Sequence, residues 1–128
     1  MAKGSKPKPT DAELAILAVL WQRGPSTVRE VHEELERSRE VRYTTTLKQM
    51  QLMHEKGLVE RDESNRAHLY RPAEPEESAL RRLAGDLLDR VFGGSAEKLV
   101  MHALRAGEVS EDELQNIREM LDRMENEK

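Results

Sequence analysis

The stretch Tyr43-Thr-Thr-Thr-Leu-Lys-Gln-Met-Gln-Leu-Met-His-Glu-Lys-Gly57 decides how this chain is read. It fits one helix of about four turns. Leu47, Met50 and either Met53 or His54 recur at helical spacing and are expected to face a core. The remaining face offers Thr44, Thr45, Lys48, Gln49 and Gln51, whose hydroxyls, ammonium and amides can reach phosphates or base edges. Gly57 is placed to close the helix as its C′ residue.

Working back from this helix, Thr10-Asp-Ala-Glu13 reads as a capping box that opens a first helix. Leu14, Leu17, Ala18 and Trp21 form its expected apolar face, joined by Ile16 and Leu20, and Arg23-Gly24-Pro25 ends it. Trp21 is read as a core anchor. Thr27 and Glu30 form a second box, followed by a narrow stripe of Val28, Val31 and Leu35 with a charged outer face. Ser38 to Arg42 is a polar turn carrying Arg39 and Arg42.

Working forward, the period changes from helical to alternating. Leu58-Val-Glu-Arg61 and His68-Leu-Tyr-Arg71 flank the polar run Asp62-Glu-Ser-Asn-Arg-Ala67, the pattern of a hairpin, with Pro72 expected to stop its second strand. Arg61, Arg66 and Arg71 put positive charge along it. Three helices followed by a two-stranded β wing make a winged helix-turn-helix. The first two helices and the wing hold the third helix rigidly enough to lie in a major groove, and wing arginines can reach phosphates beside it.

Past Glu74-Pro-Glu-Glu-Ser78 the chain turns wholly helical. Leu80, Leu83, Ala84, Leu87, Leu88 and Val91 share one face, and Phe92-Gly93-Gly94 breaks the run. Ser95 caps a stripe of Ala96, Leu99, Val100, Ala103 and Leu104, ended by Gly107. Ser110-Glu-Asp-Glu113 reads as another capping box, with Val109 and Leu114 as its hydrophobic staple, and Leu114, Ile117, Leu121 and Met124 continue the apolar face. Three such helices in about 55 residues are marginal alone. Pairing with a second copy is the favoured remedy, packing onto the front half the alternative. The candidate dimerisation residues are Leu80, Leu83, Leu87, Leu88, Val91, Leu99, Val100, Leu104, Leu114, Ile117 and Leu121. The expected architecture is therefore mostly α: a flexible basic arm over residues 1–9 with nothing to bury, a winged helix over 10–73, and a three-helix dimerisation domain over 74–128.

Composition sets limits on this reading. The charged fraction is 36%, the hydrophobic fraction 37%, and there are only four aromatic residues. That supports helices but little core, which again favours burial between two chains. The net charge of −4 looks wrong for a DNA binder. Residues 1–72, however, hold 13 Lys or Arg against 11 Asp or Glu, leaving the acidic excess to the back half. There is no cysteine, so disulfides and thiolate metal sites are excluded and a cytoplasmic location is suited. No apolar run reaches the roughly 18 residues of a membrane helix, and the lysines at the start lead into no signal-like hydrophobic region. The histidines, His32, His54, His68 and His102, form no i, i+4 pair, and no P-loop, HExxH or triad pattern stands out. No catalytic site, metal site or cofactor is expected.

The order of these motifs resembles the penicillinase-repressor family (BlaI, MecI and CopY type) across nearly the whole chain. The matching pieces are Asp11 to Trp21, Thr27 to Val31, Tyr43 to Leu47, Lys56 to Val59, Arg66 to Tyr70 and Phe92 to Ser95. The resemblance implies a helical dimerisation domain behind the winged helix and repression through inverted-repeat operators. In penicillin-sensing members it also implies receptor-triggered cleavage at an Asn-Phe pair. His102-Ala103 stands at the matching place, a departure that counts against that route. Copper-responsive members carry a cysteine-rich tail that this chain lacks. An Arg is common in the family where Leu52 stands, so the operator is expected to differ.

The leading expectation is a homodimeric DNA-binding repressor. Thr45, Lys48 and Gln49 are the groove readers, Thr44 and Gln51 the backbone contacts, and Tyr43 packs or stacks at the helix start. Arg42, Arg61 and Arg66 complete the DNA-binding set. Its partners are double-stranded operator DNA and a second copy, with no membrane; the inducing signal stays open between proteolysis, a small ligand and a sensor. The competing expectation is a winged-helix adaptor for proteins that does not read DNA, supported by the net charge and by Leu52.

Overall fold

The computed structural model describes residues 8–127, so the expected arm lies outside them but for Lys8 and Pro9. Pro9 is buried, contrary to the expectation that this segment has nothing to bury. Immediately after it, Thr10 opens α1 (Asp11–Arg23) with both halves of the capping box in place. The Thr10 hydroxyl accepts from the Glu13 N–H at 3.2 Å, and the Glu13 carboxylate accepts from the Thr10 N–H at 2.9 Å. Thr27 and Glu30 do the same for α2 (Val28–Glu36). α3 runs over Tyr43–Lys56 and stops at Gly57, which takes the left-handed conformation (φ 83°) that an L side chain resists.

β1 (Val59–Asp62) and β2 (Leu69–Pro72) form the antiparallel wing. Both strands lie one residue later than their sequence pattern suggests. Pro72 is the last strand residue, opposite Val59, rather than the residue that stops the strand. A proline is tolerated at such an end because it needs no ladder N–H there. Ser26 adds an unexpected third partner. Its N–H donates to the Tyr70 carbonyl at 3.0 Å and its carbonyl accepts from the Tyr70 N–H at 2.8 Å. The wing is thus tied by its base to the residues that open α2.

The core of this winged helix-turn-helix gathers Ile16, Leu17, Val19 and Leu20 of α1, Val28, Val31 and Leu35 of α2, Met50 and Met53 of α3, and Leu58, Val59 and Tyr70. Burying side chains of this size stabilises by about 1.5–3 kcal/mol each against exposure. Two details differ from the sequence pattern. Ala18 faces solvent, because the buried face of α1 is centred on Ile16 and Leu20. On α3 the fully inward positions are Thr46, Met50 and Met53, while Leu47 and His54 are half-buried. Trp21 packs against the rim of the core and its Nε1 donates to the Glu74 carbonyl at 3.3 Å.

α4 (Glu76–Arg90), α5 (Ala96–Ala106) and α6 (Glu111–Asn126) complete the chain. Compact units divide within α4, between Arg81 and Arg82. Ala79, the one buried residue of α4, belongs to the first unit. α4 ends with the Gly94 N–H donating to the Leu88 carbonyl at 2.9 Å, made possible by positive φ at Gly93 and Gly94. Ser95 caps α5 and Ser110 caps α6. The expected box at Ser110 is only half formed. The Ser110 hydroxyl accepts from the Glu113 N–H at 3.1 Å, but no return bond from the Glu113 carboxylate is made.

Candidate nucleic-acid interface

A helix can read a groove only if its own footing is fixed, and α3 is held at both ends. At its C-terminal end Lys56 Nζ donates to both carboxylate oxygens of Glu13, at 2.9 and 2.8 Å, across 43 residues of sequence. Burial of Glu13 opposes its ionisation, yet the Lys56 ammonium and the Thr10 N–H outweigh burial and hold its carboxyl below the usual carboxylate range. Near its N-terminal end the Thr46 hydroxyl and His32 Nδ1 share a buried hydrogen bond of 3.1 Å, and His32 Nε2 lies 3.1 Å from the Glu36 carboxylate. A buried hydroxyl on α3 is therefore satisfied by α2, which is why a threonine can take an inward position. Tyr43 stands edge-on to His32, ring centroids 5.4 Å apart, and the Arg29 guanidinium lies 5.3 Å over the Tyr43 ring.

With Thr46, Met50 and Met53 inward, a turn of about 100° per residue puts Thr44, Lys48, Gln51 and Glu55 at the centre of the outward face. Thr45 and Leu52 flank that centre on one side and Tyr43 and Leu47 on the other. Gln49 is half-buried at the core margin, and Gln51 is exposed. The two amides thus exchange the positions that the linear pattern implied. Glu55 places a carboxylate on the last turn of this face, so the surface suited to a polyanion ends on the turn before it.

The N-terminus of α3 differs from those of α1, α2, α5 and α6. Each of those has a Thr or Ser hydroxyl bonded to its first turn. Arg42 occupies the N-cap of α3 and makes no such bond, and the first turn carries no acid. The Thr45 and Thr46 N–H groups donate to the Arg42 carbonyl, which leaves the first N–H groups of the helix without a cap at the positive end of its dipole, an arrangement that favours phosphate.

Charge pairing sorts the basic residues. Arg23 meets Glu30, Arg37 meets Glu34, Lys56 meets Glu13, Arg71 meets Glu60 at 2.9 Å, and Arg61 meets Glu63 at 2.6 Å. Arg61 also lies over the Tyr70 ring, and polar interaction with the Tyr70 side chain and with Glu63 raises its pKa and keeps its guanidinium charged. The positive charge expected of Arg61 and Arg71 is therefore largely neutralised locally. Arg29, Arg39, Arg42, Lys48 and Arg66 have no carboxylate partner among the described residues, and all five are exposed. Arg39 and Arg42 line a shallow groove with Thr45, Glu36 and Glu40 at the start of α3. Arg29 and Arg66 line an open cleft of about 390 Å³ between α3 and the wing, with Tyr43, Gln51, Arg61 and His68. Arg29 did not stand out in the sequence, where it is one charge among many on α2. Its only distinguishing signal is its place one residue before the Glu30 of the capping box, on the wing side of the helix start.

In the second unit no residue of α5 or α6 is buried. Of the expected dimerisation residues, Leu83, Leu88, Leu99, Leu104, Leu114 and Ile117 are half-buried, while Leu80, Leu87, Val91, Val100 and Leu121 are exposed. Met101, Met120 and Met124 add further exposed apolar surface. His102 tilts against Phe92 with ring centroids 6.0 Å apart, and Ala103 beside it is exposed. No helix among the described residues is long and apolar enough to cross a membrane, and no group of three metal-ligating side chains occurs among them.

Comparison with known proteins gives the family. The sequence model of the penicillinase repressor family matches residues 9–123. The transcriptional regulator BlaI of Mycobacterium tuberculosis is 33% identical over 117 residues, covering 90% of this chain and 83% of that protein. The penicillinase repressor of Bacillus licheniformis is 23% identical over 122 residues, 95% of each chain. The methicillin resistance regulatory protein MecI of Mammaliicoccus sciuri is 19% identical over 114 residues, 89% of this chain and 93% of that one.

Proposed function

The chain belongs to the penicillinase repressor family of transcriptional repressors rather than to any family of enzymes, and from that premise we propose that it represses by binding inverted-repeat DNA as a homodimer. The observation that carries this is the sorting of charge: within the first unit, five exposed cations without an acid partner, Arg29, Arg39, Arg42, Lys48 and Arg66, lie around the first turns of α3. In this reading Thr44, Thr45, Lys48 and Gln51 meet base edges and Gln49 supports them from the margin. Arg42, the open N–H groups of α3, Tyr43, Arg29, Arg66 and, more weakly, Arg61 position the sugar-phosphate chain. The apolar faces of α4, α5 and α6 pair with those of a second copy, which sets two copies of α3 about one helical turn of DNA apart. In this reading residues 10–73 read DNA and residues 74–128 join the copies, with the compact units dividing further on, within α4.

The adaptor reading leans on the net charge of −4. Acids paired with Arg61, Arg71 and Lys56 account for part of the front half's share, and the five unpaired cations of the first unit named above gather where DNA would lie. That weighs against an adaptor. The test is selection of bound duplexes from random-sequence DNA by the full chain. Recovery of an inverted repeat with half-sites about 10 base pairs apart, bound with an affinity that falls steeply with salt, is expected. Recovery of no common sequence would overturn the proposal.

A further inference from the structure

Leu52 is 44% exposed on α3, and we infer that it is a specificity-determining residue that packs against the 5-methyl group of a thymine. The inference rests on the DNA-reading role of α3 proposed above. Among the described residues of the first unit, the large apolar side chains left exposed are Tyr43, Leu52 and Leu80. Tyr43 is engaged by His32 and Arg29. Leu52 has no such engagement. It stands one turn beyond Lys48 and two turns beyond Thr45, on the outward half of the helix, continuous with the polar and cationic surface. A leucine held there gains nothing from phosphates or from base amides. Within the major groove the one apolar feature on a base edge is the thymine methyl. A branched aliphatic side chain flanked by Lys48 is suited to shielding that methyl from water while the neighbouring base pair is read by hydrogen bonds.

The experiment uses the full chain and a duplex obtained by selection. Each thymine of the half-site is replaced in turn by uracil, which removes the methyl group and leaves the pairing edge unchanged. The wild-type chain should bind about fourfold more weakly when one particular position is replaced, the effect of one buried carbon group. The Leu52→Ala chain should bind the parent duplex less tightly and show no loss at that position, while keeping the wild-type response at every other one. Leu52 is exposed, so this variant should fold, and unchanged thermal melting confirms that it does. Equal methyl dependence in wild-type and Leu52→Ala chains, or no methyl dependence anywhere in a duplex that binds well, would overturn this inference while leaving the repressor reading intact. Failure to select any duplex would overturn both.

Discussion

Replacing Glu13 by Gln tests whether the ion pair to Lys56 fixes α3 against α1. The substitution is nearly isosteric and keeps an oxygen for the Thr10 N–H, so the N-cap of α1 survives. It removes the charge that meets Lys56 Nζ at 2.8 and 2.9 Å. Hydrogen bonds to charged groups contribute about 1.5–3 kcal/mol. The Lys56 side chain is 37% exposed and can regain water once its partner is neutral, so the upper part of that range is discounted. A loss of roughly 1–2 kcal/mol remains. Trp21 is the single tryptophan and reports on the unit that holds the pair. In urea unfolding followed by its fluorescence, with m near 1 kcal/mol per molar, the midpoint should fall by about 1–2 M.

The pH dependence supplies the second half of the test. The Glu13 carboxyl is held below its ordinary value of 4.5, so its contribution is complete above that pH. It is lost as pH falls through the lowered value, because the unfolded chain then takes up the proton less reluctantly than the folded one. Wild-type and Glu13→Gln stabilities should therefore converge as the solution is acidified below pH 4.5. A midpoint unchanged at neutral pH, or a gap between the two proteins that persists undiminished in acid, would refute the reasoning.

Three other outcomes are expected. Lys48→Ala should weaken binding to a selected duplex by about 1–3 kcal/mol and relax the sequence preference at one base pair per half-site, read by repeating the selection with the variant. Arg29→Ala and Arg66→Ala should each weaken binding alike on all sequences and lower the slope of log affinity against log salt by about 1 for every phosphate no longer neutralised, a titration that separates phosphate-binding residues from base readers. Leu121→Asp places a charge on the exposed apolar face of α6 and should shift sedimentation from dimer to monomer, while the fold of the first unit, followed by Trp21 fluorescence, persists.

The local grammar of the fold was legible in the sequence because its signals act over three or four residues. Thr10 with Glu13 and Thr27 with Glu30 are complete instructions for starting a helix, and Gly57 is one for ending it. What the sequence did not reveal is set by rotation and by distant partners. Three consecutive threonines give no hint which one turns inward; Thr46 does, because His32, fourteen residues earlier, supplies its hydrogen bond. That rotation in turn places Gln51 outward and Gln49 at the margin. The cross-strand register sets Arg71 against Glu60, and a bend at the wing tip sets Arg61 against Glu63. A count of charges along the chain cannot subtract these pairs, so the net value concealed which cations remain available. The resemblance to a repressor family was readable from motif order, and the family match supports it over residues 9–123.

The absence of any buried residue in α5 and α6 gives the two units different dependences on concentration. The first unit has its own core, so its folding is set by sequence and solvent alone. In the proposed dimer the second unit gains much of its stability from its partner and obeys mass action. On dilution the copies separate before α3 loses its footing. A separated copy still carries an intact reading surface but has lost its valency, and with it the high effective concentration that one bound half-site gives to the other. Occupancy of the DNA would then fall more steeply than the protein level itself. Such a repressor could be released by a modest drop in its own abundance, with no unfolding of the helix that reads the groove.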